Sequence, residues 1–375
     1  MKQKIVAILL LLSSLLVLCL PCSANDIPSC SAQAYCLMCD DGTVIASSNA
    51  DARLPMASTT KIMTAIVAIE NLDEDKVVEI SPKAAATEGS SAYLIEGEKL
   101  SVRELLFALM LSSANDAAQA LCESVEGGEE AFLLLMNEKA ARLGLYDTHF
   151  DNPHGLDSED HYTTARELSI ICAYALENER FCELCSCESH VCQSEEGLTR
   201  VFVNHNRLLF SYEGCIGVKT GYTVRDGRCL VSAATREGLT LICVTLNDRS
   251  DWADHRALLD YGFDNYEYYS ALRENALLRS VPVKNGERFF VSCKNADDLS
   301  LCLPKGAHTA AYRYLFLALE APIYEGDLAG SVEVYVDGRL SCTVDMIAAE
   351  DIKVQEKGIK AFFARLFDKI GAIFR

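Results

Sequence analysis

Two strand-like segments, a long helical middle and three more strand-like segments follow one another along this chain, and few folds accommodate that order. Residues 34–39 and 43–46 read as short strands around the turn Asp40-Asp41-Gly42. From Ser58 onward, Ile62, Ala65, Ile66 and Ile69 recur at helical spacing, so a helix is predicted to begin at or just before Ser58. Ser101 with Glu104 forms a capping-box pattern that opens a helix to about Leu111. Residues 112–115 interrupt it before helical character resumes over 116–125. A helix over 129–143 is stopped by Gly144, and Thr164 with Glu167 repeats the capping signal for a helix to about Leu176. Residues 217–223, 228–235 and 239–247 then read as strands, the last two joined at Glu237-Gly238 as a hairpin. A helix is expected over 254–259, ending near Tyr261-Gly262. Helices packed on one sheet, in an α+β or mixed layered domain, satisfy this order.

Beyond that point the pattern is strand after short strand from about Leu277 to Ile352, as at 331–336 ahead of Asp337-Gly338. This stretch reads as a separate small β domain. The expected division is a leader over 1–24, a main domain over 25–270, the β domain over 271–352 and a terminal helix over 353–375. In the leader, Lys2 and Lys4 precede an apolar run from Ile5 to Leu20, and Pro21, Cys22, Ser23 and Ala24 supply a small-residue cleavage region. Export with cleavage after Ala24 is expected, an uncleaved anchor being the alternative. The terminal segment sets Ile359, Phe362, Phe363, Leu366, Phe367, Ile370, Ile373 and Phe374 on one helical face. Lys357, Lys360, Arg365, Lys369 and Arg375 cover much of the other. That is the pattern of a basic amphipathic helix lying on a membrane surface, and docking on the protein's own core is the plainer alternative.

A net charge of −20 excludes nucleic acid as a partner, because phosphate binding needs a basic surface. Two of the 17 cysteines fall in the leader, and an odd number then remains for an exported chain to pair. Cys182, Cys185, Cys187 and Cys192 crowd one segment, whereas structural zinc joins separated ligand pairs. Free thiols or a local disulfide are expected there, and no metal or cofactor is called for.

Chemistry is concentrated in three short elements. Ser58-Thr59-Thr60-Lys61 opens the first long helix, Ser113-Ala114-Asn115 sits in the break between two helices, and Lys219-Thr220-Gly221 sits on a strand. A serine hydroxyl is a poor nucleophile until a base takes its proton. Lys61 lies one helical turn from Ser58 and can be that base if burial or a neighbouring positive charge, such as Lys219, keeps its amine neutral. Ser113 can relay a proton between Lys61 and a departing amine, and Asn115 can anchor Lys61 or a substrate amide. Lys219 and Thr220 suit a substrate carboxylate, and Gly221 leaves room for an extended peptide along the strand.

This triplet is the known signature of serine β-lactamases and penicillin-binding proteins. The stretch from Leu54 to Ala65, with Ser113-Ala114-Asn115-Asp116-Ala117, Asn152-Pro153-His154-Gly155-Leu156-Asp157 and Gly217-Val218-Lys219-Thr220-Gly221-Tyr222-Thr223, resembles the low-molecular-mass penicillin-binding proteins, the serine D-Ala-D-Ala carboxypeptidases of peptidase family S11. The resemblance covers roughly 34–262 and continues in outline through a β domain and terminal amphipathic helix. It implies a transpeptidase-like domain, Ser58 as acyl-ester nucleophile, Lys61 as proton acceptor, Ser113 as relay and Lys219 as substrate contact. Backbone N–H groups of Ser58 and Tyr222 would form the oxyanion hole, and Arg249 would reach the terminal carboxylate. Peptidoglycan stem peptides would be the substrate and β-lactams acylating inhibitors. Ala114 stands where glycine is frequent, and His154 reads as a structural histidine. The rivals are a β-lactamase, for which Glu159 is the best-placed carboxylate although Thr163 follows it where asparagine is usual, a D,D-endopeptidase, and a catalytically silent wall-binding protein.

Overall fold

The computed structural model describes residues 26–355. The expected leader and residues 356–375 of the expected terminal helix lie outside the described residues; residues 353–355, where that helix was expected to start, are not helical, since Val354 bridges to Gly286 on the β domain. The chain divides into two compact units, one ending at Asn265 and the next starting at Tyr266. The expected boundary after 270 is displaced because the strand Tyr266–Leu272 pairs with Leu299–Pro304, and so belongs to the second unit.

In the first unit the strands are β1 (Ala34–Cys39), β2 (Val44–Ser48), β3 (Val77–Glu79), β4 (Lys99–Ser101), β5 (Ser189–Gln193), β6 (Thr199–Val203), β7 (Cys215–Thr223), β8 (Gly227–Arg236) and β9 (Leu239–Leu246). Five of them form an antiparallel sheet in the order β2-β1-β9-β8-β7. The first hairpin thus joins the last, and everything between β2 and β7 connects the two edge strands of one sheet. All six residues of β1 are buried, so both its faces are covered. The helix Ala165–Leu176 packs on β1 and β9, and the helix Asp251–Asn265 also packs on β9 and β8. Gly262 permits that second contact, since a Cβ there would stand 2.5 Å from a Leu241 methyl.

Both capping serine/threonine signals form: Ser101 Oγ accepts from Glu104 N at 3.2 Å and Thr164 Oγ1 from Glu167 N at 3.1 Å. The glutamate carboxylates do not close the reciprocal half of the box. Glu104 Oε2 instead lies 2.9 Å from His190 Nε2, and Glu167 accepts from Asp147 N and Thr148 Oγ1, so tertiary partners outcompete the local bond. The helix predicted over 254–259 is longer, Asp251–Asn265. The helix Glu179–Ser186 and the β5-β6 hairpin fall in the cysteine-rich stretch, where neither was foreseen. Cys185 lies on that helix and Cys192 on β5, and all four cysteines of the crowded segment are free thiols.

In the second unit the strands are β10 (Tyr266–Leu272), β11 (Arg279–Lys284), β12 (Phe290–Asn295), β13 (Leu299–Pro304), β14 (Ala310–Phe316), β15 (Leu319–Glu320), β16 (Leu328–Val336) and β17 (Arg339–Ala348). Six make the sheet β14-β16-β17-β12-β11-β15 around a core of Val281, Val291, Val332, Val334 and Met346. This is the all-β domain expected from the alternating pattern.

His255, fully buried on the last helix of the first unit, links β8 to β9: its Nδ1 is 2.5 Å from Ser232 Oγ and its Nε2 3.0 Å from Thr245 Oγ1. Burial pushes its pKa down to about 3. The unfolded chain takes up this proton near pH 6.5, so between about 6.5 and 3 it binds a proton the folded chain refuses, and stability falls as pH drops through that window. His255→Gln, which keeps hydrogen-bonding capacity without titrating, is expected to flatten the fall by up to about 1.4 kcal/mol per pH unit. Denaturant unfolding between pH 7 and pH 4 measures it, and equal slopes in both proteins would contradict the assignment.

Candidate active site

Ser58 does not open an α-helix. It lies on a 3₁₀ turn, Ala57–Thr60, and the α-helix Lys61–Asn71 starts at Lys61. Three contacts hold that turn. Ala57, at φ +48°, donates its N–H to Asp226 Oδ2 at 3.0 Å. Thr60 Oγ1 donates to Ala57 O at 2.7 Å and lies 2.7 Å from His161 Nε2. His161 Nδ1 accepts from Asp151 N, so its proton is on Nε2 and points at Thr60. Burial keeps His161 neutral, with its pKa down to about 4, and raises that of Asp226 to about 6.

Glycines let two other elements close on this turn. Gly155, at φ +87°, sits so near that a Cβ would come 2.0 Å from Ala57 O. A Cβ on Gly221 of β7 would lie 3.0 Å from Ser58 N and 3.1 Å from Ala57 Cβ. The strand bearing Lys219-Thr220-Gly221 therefore runs directly against the nucleophile's backbone.

Lys61 is fully buried. Its Nζ lies 2.9 Å from Ser58 Oγ, 2.7 Å from Asn115 Oδ1 and 2.5 Å from His154 O. Desolvation, reinforced by the charge of Lys219 and partly opposed by Asp116, holds its pKa well below the ordinary lysine range. A neutral amine has two N–H bonds and one lone pair. Asn115 Oδ1 and the His154 carbonyl can only accept, so they take both hydrogens and leave the lone pair to face the Ser58 hydroxyl. Asn115 is itself fixed, because its Nδ2 donates to Glu88 O at 2.6 Å. The ring of His154 takes no part: burial brings its pKa to about 3 and its Nδ1 accepts from Leu156 N.

Ser113, at φ +57°, precedes the helix Asn115–Glu123 and lines the cleft. Asp116 on that helix is fully buried and accepts from Ser91 Oγ, Ala92 N and Leu94 N at 2.6–3.1 Å, which pins the loop carrying Ser90. The cleft measures about 300 Å³, and its wall includes Ser58, Ser90, Ser113, Thr220, Gly221 and Tyr222. Lys219 lies beneath this wall, buried, with Nζ 3.0 Å from Thr220 O; burial lowers its pKa to about 7.

One expected residue is not brought in. Arg249 is exposed and does not line the cleft. Its placement follows from β9 ending at Leu246, which leaves Arg249 in the loop before the last helix. Arg207, Arg228, His205, Asp251 and Trp252 line the cleft instead. Of these, Arg228 could have been found, because the tight β7-β8 turn sets it opposite Tyr222. Glu159 is exposed and is not on the cleft wall either. Among the described residues, the group with ligand atoms close enough to share a cation is Cys30, Asp248 and Asp254, where the Ser31 hydroxyl already donates to Asp248 and the Ser31 N–H to Asp254.

Comparison with known proteins yields a consistent set of matches. A family model described as D-alanyl-D-alanine carboxypeptidase matches residues 22–250, and one described as the C-terminal domain of penicillin-binding protein 5 matches 266–354. The D-alanyl-D-alanine carboxypeptidase DacF of Bacillus subtilis is 32% identical over 84% of this chain and 84% of its own length. DacC of Escherichia coli is 32% identical over 92% of this chain and 88% of its own. Among solved structures, penicillin-binding protein 5 of Haemophilus influenzae superposes with a TM-score of 0.74 at 27% identity, covering 87% of this chain and 98% of that one. The Streptomyces K15 DD-transpeptidase gives a TM-score of 0.61 at 36% identity over 63% of this chain and 98% of its own.

Proposed function

Because the chain belongs to the D-alanyl-D-alanine carboxypeptidase family, we propose that it removes the terminal D-alanine from peptidoglycan stem peptides through an acyl-ester on Ser58. The observation that carries this reading is the Lys61 amine, buried and oriented at the Ser58 hydroxyl by two obligate acceptors. Lys61 takes the hydroxyl proton as Ser58 Oγ attacks the carbonyl of the penultimate residue. Charge develops on the carbonyl oxygen, and the N–H groups of Ser58 and Tyr222 receive it in the space that Gly221 leaves open. The proton on Lys61 passes through Ser113 to the departing amine, D-alanine leaves, and water then hydrolyses the ester. Thr220 donates to the substrate's terminal carboxylate, and the charge on Lys219 beneath it attracts that group. Asn115 holds Lys61 in register. A β-lactam ring opens by the same attack and stays as a stable ester.

Purified protein is expected to label stably with a fluorescent penicillin and to release free D-alanine from a pentapeptide ending in D-alanyl-D-alanine. Both activities should vanish in Ser58→Ala. Rapid turnover of the drug, or labelling that survives the substitution, would contradict the reading.

The chain is further proposed to work outside the cytoplasm, exported by its leader and held at the membrane surface by residues 356–375. Support comes from the apolar and basic faces of that segment, whose positive charge contrasts with a net charge of −20 overall. Truncation after Gln355 is expected to release the protein from anionic vesicles with peptide cleavage intact. Retention of the truncated protein on the vesicles would refute the anchor.

A further inference from the structure

The turn between β7 and β8 is folded against hydropathy. Val224 in this turn is 92% exposed and Arg225 beside it is exposed, whereas Asp226 is turned inward and only 3% exposed. Asp226 closes the turn by donating its N–H to Thr223 Oγ1 at 3.0 Å. Gly227, at φ +68°, packs so closely that a Cβ there would stand 2.2 Å from Asn247 Oδ1. Burying an acid while a valine faces water works against stability, so a carboxylate placed in this way needs a reason beyond folding.

Of the two carboxylate oxygens, Oδ2 accepts from Ala57 N at 3.0 Å, and Oδ1 is buried without a hydrogen-bond partner. Desolvation and the charge of Asp157 raise the pKa, against the Thr223 hydroxyl, the Ala57 N–H and the charge of Arg225. The nearby Cys229 thiol is buried and stays neutral. Asp226 follows Tyr222 on the same turn, and Ala57 immediately precedes Ser58. The bond therefore ties together the two residues whose N–H groups are the oxyanion donors in the reading above, on which this inference rests. Ala57 sits at φ +48°, a conformation that a residue other than glycine keeps only where its surroundings hold it.

We infer that Asp226 is a positioning residue for acylation: its ionised carboxylate clamps the two oxyanion donors in register, and uptake of a proton loosens the clamp. The proton goes to Oδ1, the unpaired oxygen, so Oδ2 still accepts from Ala57 but the bond loses its charge assistance. Asp226 does not touch the reacting atoms. With its pKa raised to about 6, the clamp is complete above that pH and weakens below it.

The test follows acylation by a fluorescent penicillin in stopped flow, resolving the acylation rate constant from the dissociation constant of the complex that precedes it. Asp226→Asn is a permanent copy of the protonated acid, because its amide oxygen accepts from Ala57 and its NH2 replaces the protonated Oδ1. At pH 8 the wild-type protein is expected to acylate about tenfold faster than Asp226→Asn. The ratio should shrink toward one at pH 5; titration of Lys61 affects both proteins and cancels in it. The dissociation constants should match, which a misfolded variant would not give. Asp226→Ala, which removes the acceptor, should acylate about a hundredfold more slowly than wild type at pH 8. An Asp226→Asn variant as fast as wild type at pH 8, a ratio that does not change with pH, or a loss carried by the dissociation constant overturns the inference alone. A wild-type protein that the penicillin does not acylate overturns the acyl-enzyme reading together with it.

Discussion

A lysine amine shut away from water is the constraint on which the rest of the site depends. Lys61 is charged in the unfolded chain at neutral pH, and the fold gives it no carboxylate to pair with. Its charged form is disfavoured by desolvation and by Lys219, so the amine is driven toward neutrality. That depression works against folding below the ordinary lysine pKa, because the unfolded chain binds a proton the folded chain rejects. Activation of Ser58 is what this cost supports, and local strain of this kind belongs at functional sites.

Topology explains how such a site is held. The sheet is completed by pairing the first hairpin with the last, so the two ends of the helical insertion, at edge strands β2 and β7, are tied together through β1, β9 and β8. Ser58 follows β2 closely in sequence, while Lys219 and Gly221 lie on edge strand β7, and the Ala57–Asp226 bond spans 169 residues to join them. Asn115 and Ser113 arrive from the break between two helices inside the insertion. No segment could form the cleft alone. Because β7 is an edge strand of the five-stranded sheet, an extended peptide can lie against it without displacing a sheet partner.

What was legible in the sequence was mostly local. Ser101 and Thr164 cap their helices as their spacing predicts, and the Ser-x-x-Lys step brings Ser58 and Lys61 together because three residues make about one turn. The turn is 3₁₀ at Ser58 because Asp226 and Gly155 fix Ala57 at positive φ, and neither is a near neighbour in the chain. Arg207, Trp252 and His205 escaped notice for the same reason, since no periodicity or motif marks a loop residue that reaches a cleft by tertiary packing. The β5-β6 hairpin was hidden by its composition: Val191, Val201 and Val203 face outward, against the usual rule that a strand turns its apolar residues inward.

Burial and the neighbouring Lys219 both disfavour the charged form of Lys61, and its amine is expected to be uncharged in the resting protein at neutral pH. Side-chain nitrogen NMR of lysine-labelled protein, with Lys61 assigned by its substitution to Met, reads that charge directly. A Lys61 resonance characteristic of a neutral amine is expected at pH 7.5, titrating well below the ordinary lysine range. An ammonium signal for Lys61 persisting to pH 10 would contradict it.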